Sequence, residues 1–462
     1  MSEPGSEPRS SEPAAPRLRL GWVVFWLLLG SWIGGSLYTY LTRDSDPEQK
    51  LEQVSREIET ELRSHELSKR LLSQAGSTTA PPAALSTLDP LVSRLADERA
   101  SDAEATFLYT VIRVEQGYDP DPEDLERLRL SEDRQLRAVA ALYAYRGVSE
   151  SAAHDLADEL PDAPFAFRLA KAQGLERAGV ADSRDGLIPT KALTSLQRAA
   201  MLIGFFCFAC PLVFVVYILL KLRGSLPSAG FPVGAIDDDD AESLALRTTQ
   251  MFALYFGVGV VSGMVGGHAL STAEGGALFG SLGVISVVIL SRYPVLGLDW
   301  SLSRLGLNLK NFKINLIWGV GAAIVELPVS VMMGYLGSRL LQGLPNPEHP
   351  LSPELAKAKS TWEVLLFIFM LVIIAPVFEE ICFRGAMLPA MARLMKSPAI
   401  GILATSLLFA AIHPTGIPAW LALATTGAFA AITVHQTGSL VPAIVLHGIH
   451  NGMIYLMSSG LG

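Results

Sequence analysis

Residues 376–385 read PVFEEICFRG. Two adjacent glutamates, Glu379 and Glu380, close an almost wholly apolar run from Leu365 to Phe378, and Arg384 follows four residues after the second. A carboxylate in or beside a bilayer-length apolar segment is costly, so it faces a protein interior and usually carries function. The stretch therefore reads as part of a membrane-embedded helix. Composition points the same way: half of the 462 residues are hydrophobic and the mean hydropathy is +0.36. An ordinary soluble chain is less apolar.

Outward from this stretch, further apolar runs approach or reach bilayer length. They fall at 20–41, 199–220, 248–267, 277–290, 314–336, 361–383, 398–413, 419–433 and 440–457. Only helices or closed barrels satisfy backbone polar groups in lipid, and the runs lack strand-like alternation. The expectation is an all-α, polytopic transmembrane helical bundle of about eight to nine spans, with an inserted soluble helical domain. The run at 20–41 outlasts the apolar core of a signal peptide and lacks a small-residue cleavage site, so it reads as an uncleaved transmembrane anchor.

The remaining organisation follows from composition. Residues 1–19 begin with a Ser-, Glu- and Pro-rich stretch and are expected to be disordered. Residues 44–196 read as the soluble helical domain, repeat-like in its spacing. Its opening, 47–74, is a charged amphipathic helix, and AGSTTAPPAA at 75–84 is a linker. Beyond it, apolar residues recur at three and four, as in Phe107, Leu108, Val111 and Ile112. Residues 197–345 read as transmembrane helices and 361–458 as a catalytic membrane domain. The acidic run from Asp237 to Asp240 reads as a solvated loop, and Cys207 and Cys210 as small buried hydrophobes.

Net charge is −9 and no basic patch interleaves with aromatics, which argues against a nucleic-acid partner. Arg9, Arg17 and Arg19 precede the first run, which puts the N-terminus in the cytoplasm and the soluble domain outside. On that topology Glu379 lies near the cytoplasmic end of a span ending at residue 383, and His413 near the far end of the next. The two can meet only through tilting, a break near Pro376 or Pro414, or displacement in depth.

Ionisable residues concentrate late in the chain. Four of the eight histidines lie between residues 413 and 450, in FAAIHP (His413), at His435, and in VLHGIHNG (His447, His450 and Asn451). On a helix Glu380 and Arg384, four apart, share a face, while Glu379 points about 100° away. His447 and Asn451 share a face likewise. A buried carboxylate beside imidazoles and an amide suits water activation: the carboxylate as base, histidine to orient water or hold a metal that acidifies it, asparagine to steady an oxyanion. The H-E-x-x-H zinc helix is absent, yet Glu379, His413 and His447 are a chemically reasonable Zn2+ ligand set. Glu326, in AAIVELPVS, reads as a neutral, hydrogen-bonded carboxyl or as part of the same cavity.

The ordered set EEICFR, FAAIH and HGIHN resembles the three motifs of the CPBP family, the CAAX proteases and bacteriocin-processing (Abi) enzymes; the flanking FRG and TGSL look similar too. The resemblance runs from Thr361 to Tyr455. It implies an intramembrane endopeptidase acting on a protein or peptide substrate, with Glu379 activating water aided by His413. His447 and Asn451 complete the site and stabilise the oxyanion, and Glu380 with Arg384 holds it together, Glu380 sharing the base role in one version. The family is described both as metal-dependent and as glutamate-type, and its breadth places this chain in a bacterial inner membrane. The rival reading is a non-catalytic membrane scaffold or immunity protein that binds a protein partner through the soluble domain.

Overall fold

The computed structural model describes residues 61–70, 89–144, 150–188, 190–226, 230–250, 302–341 and 360–459, apart from short gaps, together with single positions nearer the N-terminus. Among these residues every regular element is helical. The expected spans at 20–41, 248–267 and 277–290, the linker and residues 1–19 lie essentially outside the described residues. Two compact units are present, one formed mainly by residues 39–198 and the other mainly by residues 199–456.

The first unit is a succession of short helices: α1 (Asp89–Glu98), α2 (Ala103–Glu115), α3 (Pro122–Arg129), α4 (Arg134–Ala144), α5 (Glu150–Asp158) and α6 (Phe165–Arg177). α2, α3, α4 and α6 start where a side chain takes over an unpaired amide. Asp102 accepts from Ala105 N at 2.8 Å, and Asp121 accepts from Glu123 N beside Pro122. Glu59 accepts from Phe165 N and Ala166 N at the start of α6. The three-and-four pattern of α2 buries Phe107, Leu108, Val111 and Ile112 against Val139 and Tyr143 of α4 and Leu169 of α6. At one edge Glu115 is almost fully enclosed. It accepts from Gln173 at 2.8 Å and from Arg184 at 3.0 Å, with His65 3.5 Å away. Burial alone would raise this carboxyl, but the His65 hydrogen bond and the Arg184 charge outweigh it and hold Glu115 well below the usual carboxylate range.

α7 (Thr190–Leu222) leaves the first unit and contributes its apolar length to the second. Cys207 on it is exposed and Cys210 half-buried, so the reading of both as buried hydrophobes is corrected: they sit on a helix whose apolar stretch is unburied among the described residues. The second unit continues with α8 (Phe312–Leu340), α9 (Thr361–Leu394), α10 (Pro398–Ala411), α11 (Trp420–Thr437) and α12 (Val441–Ser459). Among the described residues four helices are long and apolar enough to cross a membrane, at 200–222, 312–340, 361–394 and 417–437, and α10 and α12 are shorter apolar helices. α11 packs along both α8 and α10, and the end of α9 packs against α10. The run from Asp237 to Asp240 is largely solvent-exposed, as read from the sequence, but it opens a helix rather than forming a loop. Asp237 accepts from Asp240 N to start a helix at 238–250, Asp238 meets Arg393 at 2.9 Å and Asp240 meets Arg304 at 3.8 Å.

α9 is the element on which the sequence erred most. The apolar run stops at residue 383, yet the helix continues to Leu394 because Arg384 is neutralised internally. It is not broken at Pro376. Instead two wider π-helical turns, Met370–Ile374 and Ile381–Met387, precede Pro376 and Pro389. Such turns absorb the missing amide of a proline without ending the helix. A tight turn follows, with Lys396 in the left-handed region (φ 53°), Ser397 capping α10 and Pro398 opening it. Gly401 makes the α9–α10 hairpin close: a Cβ there would stand 2.7 Å from the Ala392 backbone.

Candidate active site

The hairpin resolves the depth conflict in the charge-based topology. Glu379 lies fifteen residues before Leu394, and His413 fifteen after Pro398. Antiparallel helices with equal arms bring the two to one level. Glu379 Oε2 stands 4.0 Å from His413 Nε2 and 3.7 Å from His447 Nε2 of α12. Of the ways out of the conflict, a break at Pro376 is not the one taken, while α10 does end at Ala411, just before His413 and Pro414.

Glu380, adjacent in sequence, points into the core and is fully buried. Its Oε1 accepts from Arg384 Nη1 at 2.9 Å, one helical turn on, and from His447 Nδ1 at 2.9 Å. Arg384 also donates from Nη2 to the Gly427 carbonyl of α11 at 3.1 Å. A buried charge is tolerable only with such pairing. The glutamates are thus not wholly separate, since the His447 ring touches Glu380 through one nitrogen and faces Glu379 with the other.

The partners fix both tautomers. Phe409 O, a carbonyl, can only accept, so His413 Nδ1 donates to it at 2.6 Å. His447 Nδ1 likewise donates to a carboxylate. In the neutral form each ring therefore turns an Nε2 lone pair toward Glu379. Phe409 is a hub absent from the sequence reading, where it served only as spacing in FAAIH. Its ring packs against His413 (4.6 Å), against His447 edge-on (5.6 Å) and beneath Arg384 (4.5 Å). The signal was present: an aromatic residue four before a histidine shares its face.

Asn451 is placed differently. Its Nδ2 donates to Leu371 O at 2.9 Å, on the π turn two turns before Glu379, leaving one amide hydrogen for other use. The cause is Pro376. A proline at that position cannot donate to the carbonyls four and five residues back, at 372 and 371. Asn451 answers the Leu371 carbonyl, and Gly448 lies so close to Val372 O that a Cβ would stand 2.6 Å from it.

Glu379 is 22% exposed, but its Oε2 is buried and has no hydrogen-bond partner among the described residues. The donor types suit zinc; the spacing does not. Ligand atoms around a tetrahedral zinc at about 2.0–2.1 Å stand about 3.3 Å apart. A water bridging two acceptors at about 2.8 Å spans roughly 4–4.6 Å. The observed 4.0 Å reaches the second, and 3.7 Å falls between the two, wider than a shared zinc sets. Among the described residues no group of three His, Cys, Asp or Glu side chains is disposed to hold a metal ion. No step below passes through one.

Glu326 and His450 form a second buried pair, with His450 Nδ1 3.0 Å from Glu326 Oε1. Of the two alternatives for Glu326, the hydrogen-bonded carboxyl is the one seen: Thr426 donates to it, and its other partner is an imidazole on α12 rather than the Glu379 group.

Residues 361–453 match the family model described as Type II CAAX prenyl endopeptidase Rce1-like. No curated protein and no solved structure matches the chain. The match covers α9 to α12 with their five clustered side chains Glu379, Glu380, Arg384, His413 and His447, so the resemblance carried by the three motifs holds for this segment.

Proposed function

We propose that this chain is an intramembrane endopeptidase that hydrolyses a peptide bond of a protein or peptide substrate with a glutamate-activated water. One observation carries the reading: a buried carboxylate oxygen, Glu379 Oε2, has no donor among the described residues and faces the Nε2 atoms of two imidazoles, 3.7 and 4.0 Å away. The Rce1-like segment supplies the reaction class.

A water held there donates one hydrogen to Glu379 and the other to His413 Nε2, and its oxygen attacks the scissile carbonyl. Glu379 takes the proton as the C–O bond forms. His447, backed by the Glu380 carboxylate, carries a proton on Nε2 at this step and donates to the developing oxyanion, together with the second Nδ2 hydrogen of Asn451. Collapse breaks the C–N bond, and Glu379 returns its proton to the departing amine. Glu380 and Arg384 contact neither water nor substrate; they hold the His447 ring at its angle, as outer partners of active-site histidines do.

The test is peptide cleavage by purified protein in detergent, prenylated and unprenylated substrates side by side. Loss of turnover in Glu379→Gln and His447→Ala is expected. Wild-type-level cleavage in both would remove Glu379 and His447 from the mechanism.

A further inference from the structure

Glu326 of α8 and His450 of α12 lie in apolar helices, and neither has a role in the hydrolysis above. Around them sit Thr426 of α11 and Ser330 of α8. Thr426 donates to Glu326 Oε1 at 2.7 Å, Ser330 Oγ lies 3.3 Å from Thr426 Oγ1 and donates to Ala422 O, and His450 Nδ1 lies 3.4 Å from Thr426. All four are buried, Glu326 completely. Well-packed apolar residues of the same volume stabilise such a site as well or better, so the polar cluster calls for a reason other than stability.

Geometry supplies one. α12 meets α9 through two polar contacts, His447 to Glu380 and Asn451 to the Leu371 carbonyl. Both lie on one face of α12, so these two hydrogen bonds do not by themselves lock its rotation. His450 is three residues after His447 and one before Asn451, and it reaches a different helix. The cluster also abuts the catalytic support, because Thr426 neighbours Gly427, whose carbonyl accepts from Arg384.

Resting on the proposed hydrolase reading, we infer that His450 and Glu326 are positioning residues: their hydrogen bond pins the rotation of α12 and thereby aims His447 Nε2 at Glu379. A roll of about 10° moves a ring some 6 Å from the helix axis by about 1 Å, and a misplacement of that size costs on the order of a hundredfold in rate. The effect falls on kcat, because the substrate does not touch the cluster.

Three variants test this beside wild type and Glu379→Gln, each first checked for a monodisperse elution profile. His450→Leu keeps bulk and loses the donor. His450→Asn loses bulk and keeps a donor near Nδ1. Glu326→Gln keeps an acceptor for His450. Expected are a ten- to hundredfold fall in kcat for His450→Leu with KM within about twofold, and kcat within about threefold of wild type for His450→Asn and Glu326→Gln. A His450→Leu variant as active as His450→Asn, or equal loss in both, would overturn the inference. Failure of the hydrolase reading shows separately, as Glu379→Gln retaining wild-type turnover.

Discussion

Asn451 supplies to α9 the hydrogen bond that Pro376 cannot. The proline lies on one helix and the amide on another, and the Leu371 carbonyl between them is satisfied at 2.9 Å. Asn451→Ala strands that carbonyl in an apolar setting and should cost about 1–3 kcal/mol. Pro376→Ala in the same chain returns a backbone donor to α9. Thermal unfolding in detergent should therefore show the Asn451→Ala loss partly recovered in the double variant. A double variant less stable than Asn451→Ala alone would show that the two residues are not complementary.

Arg384→Leu should be among the most damaging single changes. It leaves a fully buried Glu380 without its cation, and breaking a buried pair from one side costs about 3–5 kcal/mol. Adding Glu380→Gln removes the stranded charge and should recover much of the midpoint, while activity stays lost because the His447 ring no longer has its anionic support.

Glu379→Gln should separate activity from stability. Turnover should drop by roughly a hundredfold to ten-thousandfold, the span of general-base catalysis. The melting temperature should hold or rise, because a buried carboxylate oxygen with no donor among the described residues disfavours the fold. A variant that both melts early and loses activity would mark Glu379 as structural.

The spacing around Glu379, wider than a shared zinc sets, also predicts that cleavage persists after exhaustive chelation and dialysis. About one zinc per chain, lost in His413→Ala together with activity, would replace the water-only scheme with a metal-bound one.

In the first unit Glu115 gives a pH signature. Its folded pKa lies below the unfolded one, so it stabilises the fold above the ordinary glutamate value of about 4.3, and that contribution fades as pH falls below it. Full-length protein should lose stability more steeply than the Glu115→Gln variant as pH falls from about 5 to 3. Parallel curves would mean that His65 and Arg184 do not hold the carboxylate as described.

The sequence disclosed the site's residues better than its supports. Ordered motifs pointed to Glu379, Glu380, Arg384, His413 and His447, and the structure brings these five together. Hydropathy misjudged the length of α9, since an arginine counts as a span end whether or not a glutamate one turn earlier neutralises it. No local spacing links residue 326 to residue 450, or Leu371 to Asn451, so neither contact could be read before the helices were packed. Phe409 was visible as a letter and not as a hub, because its work lies in which rings it touches.

The equal arms of the α9–α10 hairpin also act as a depth gauge. Fifteen residues at 1.5 Å each set Glu379 and His413 about 22 Å from the turn bearing Lys396. If that turn rests at a membrane face, the scissile bond must descend through most of a hydrocarbon layer about 30 Å thick, measured from that face, or enter from the opposite one at about 8 Å. From the far face, two or three residues of extended chain suffice, at about 3.3 Å per residue. On the proposed reading, such a hairpin would favour substrates whose cut lies only a few residues beyond a membrane-surface anchor over a bond buried at the middle of an intact transmembrane helix.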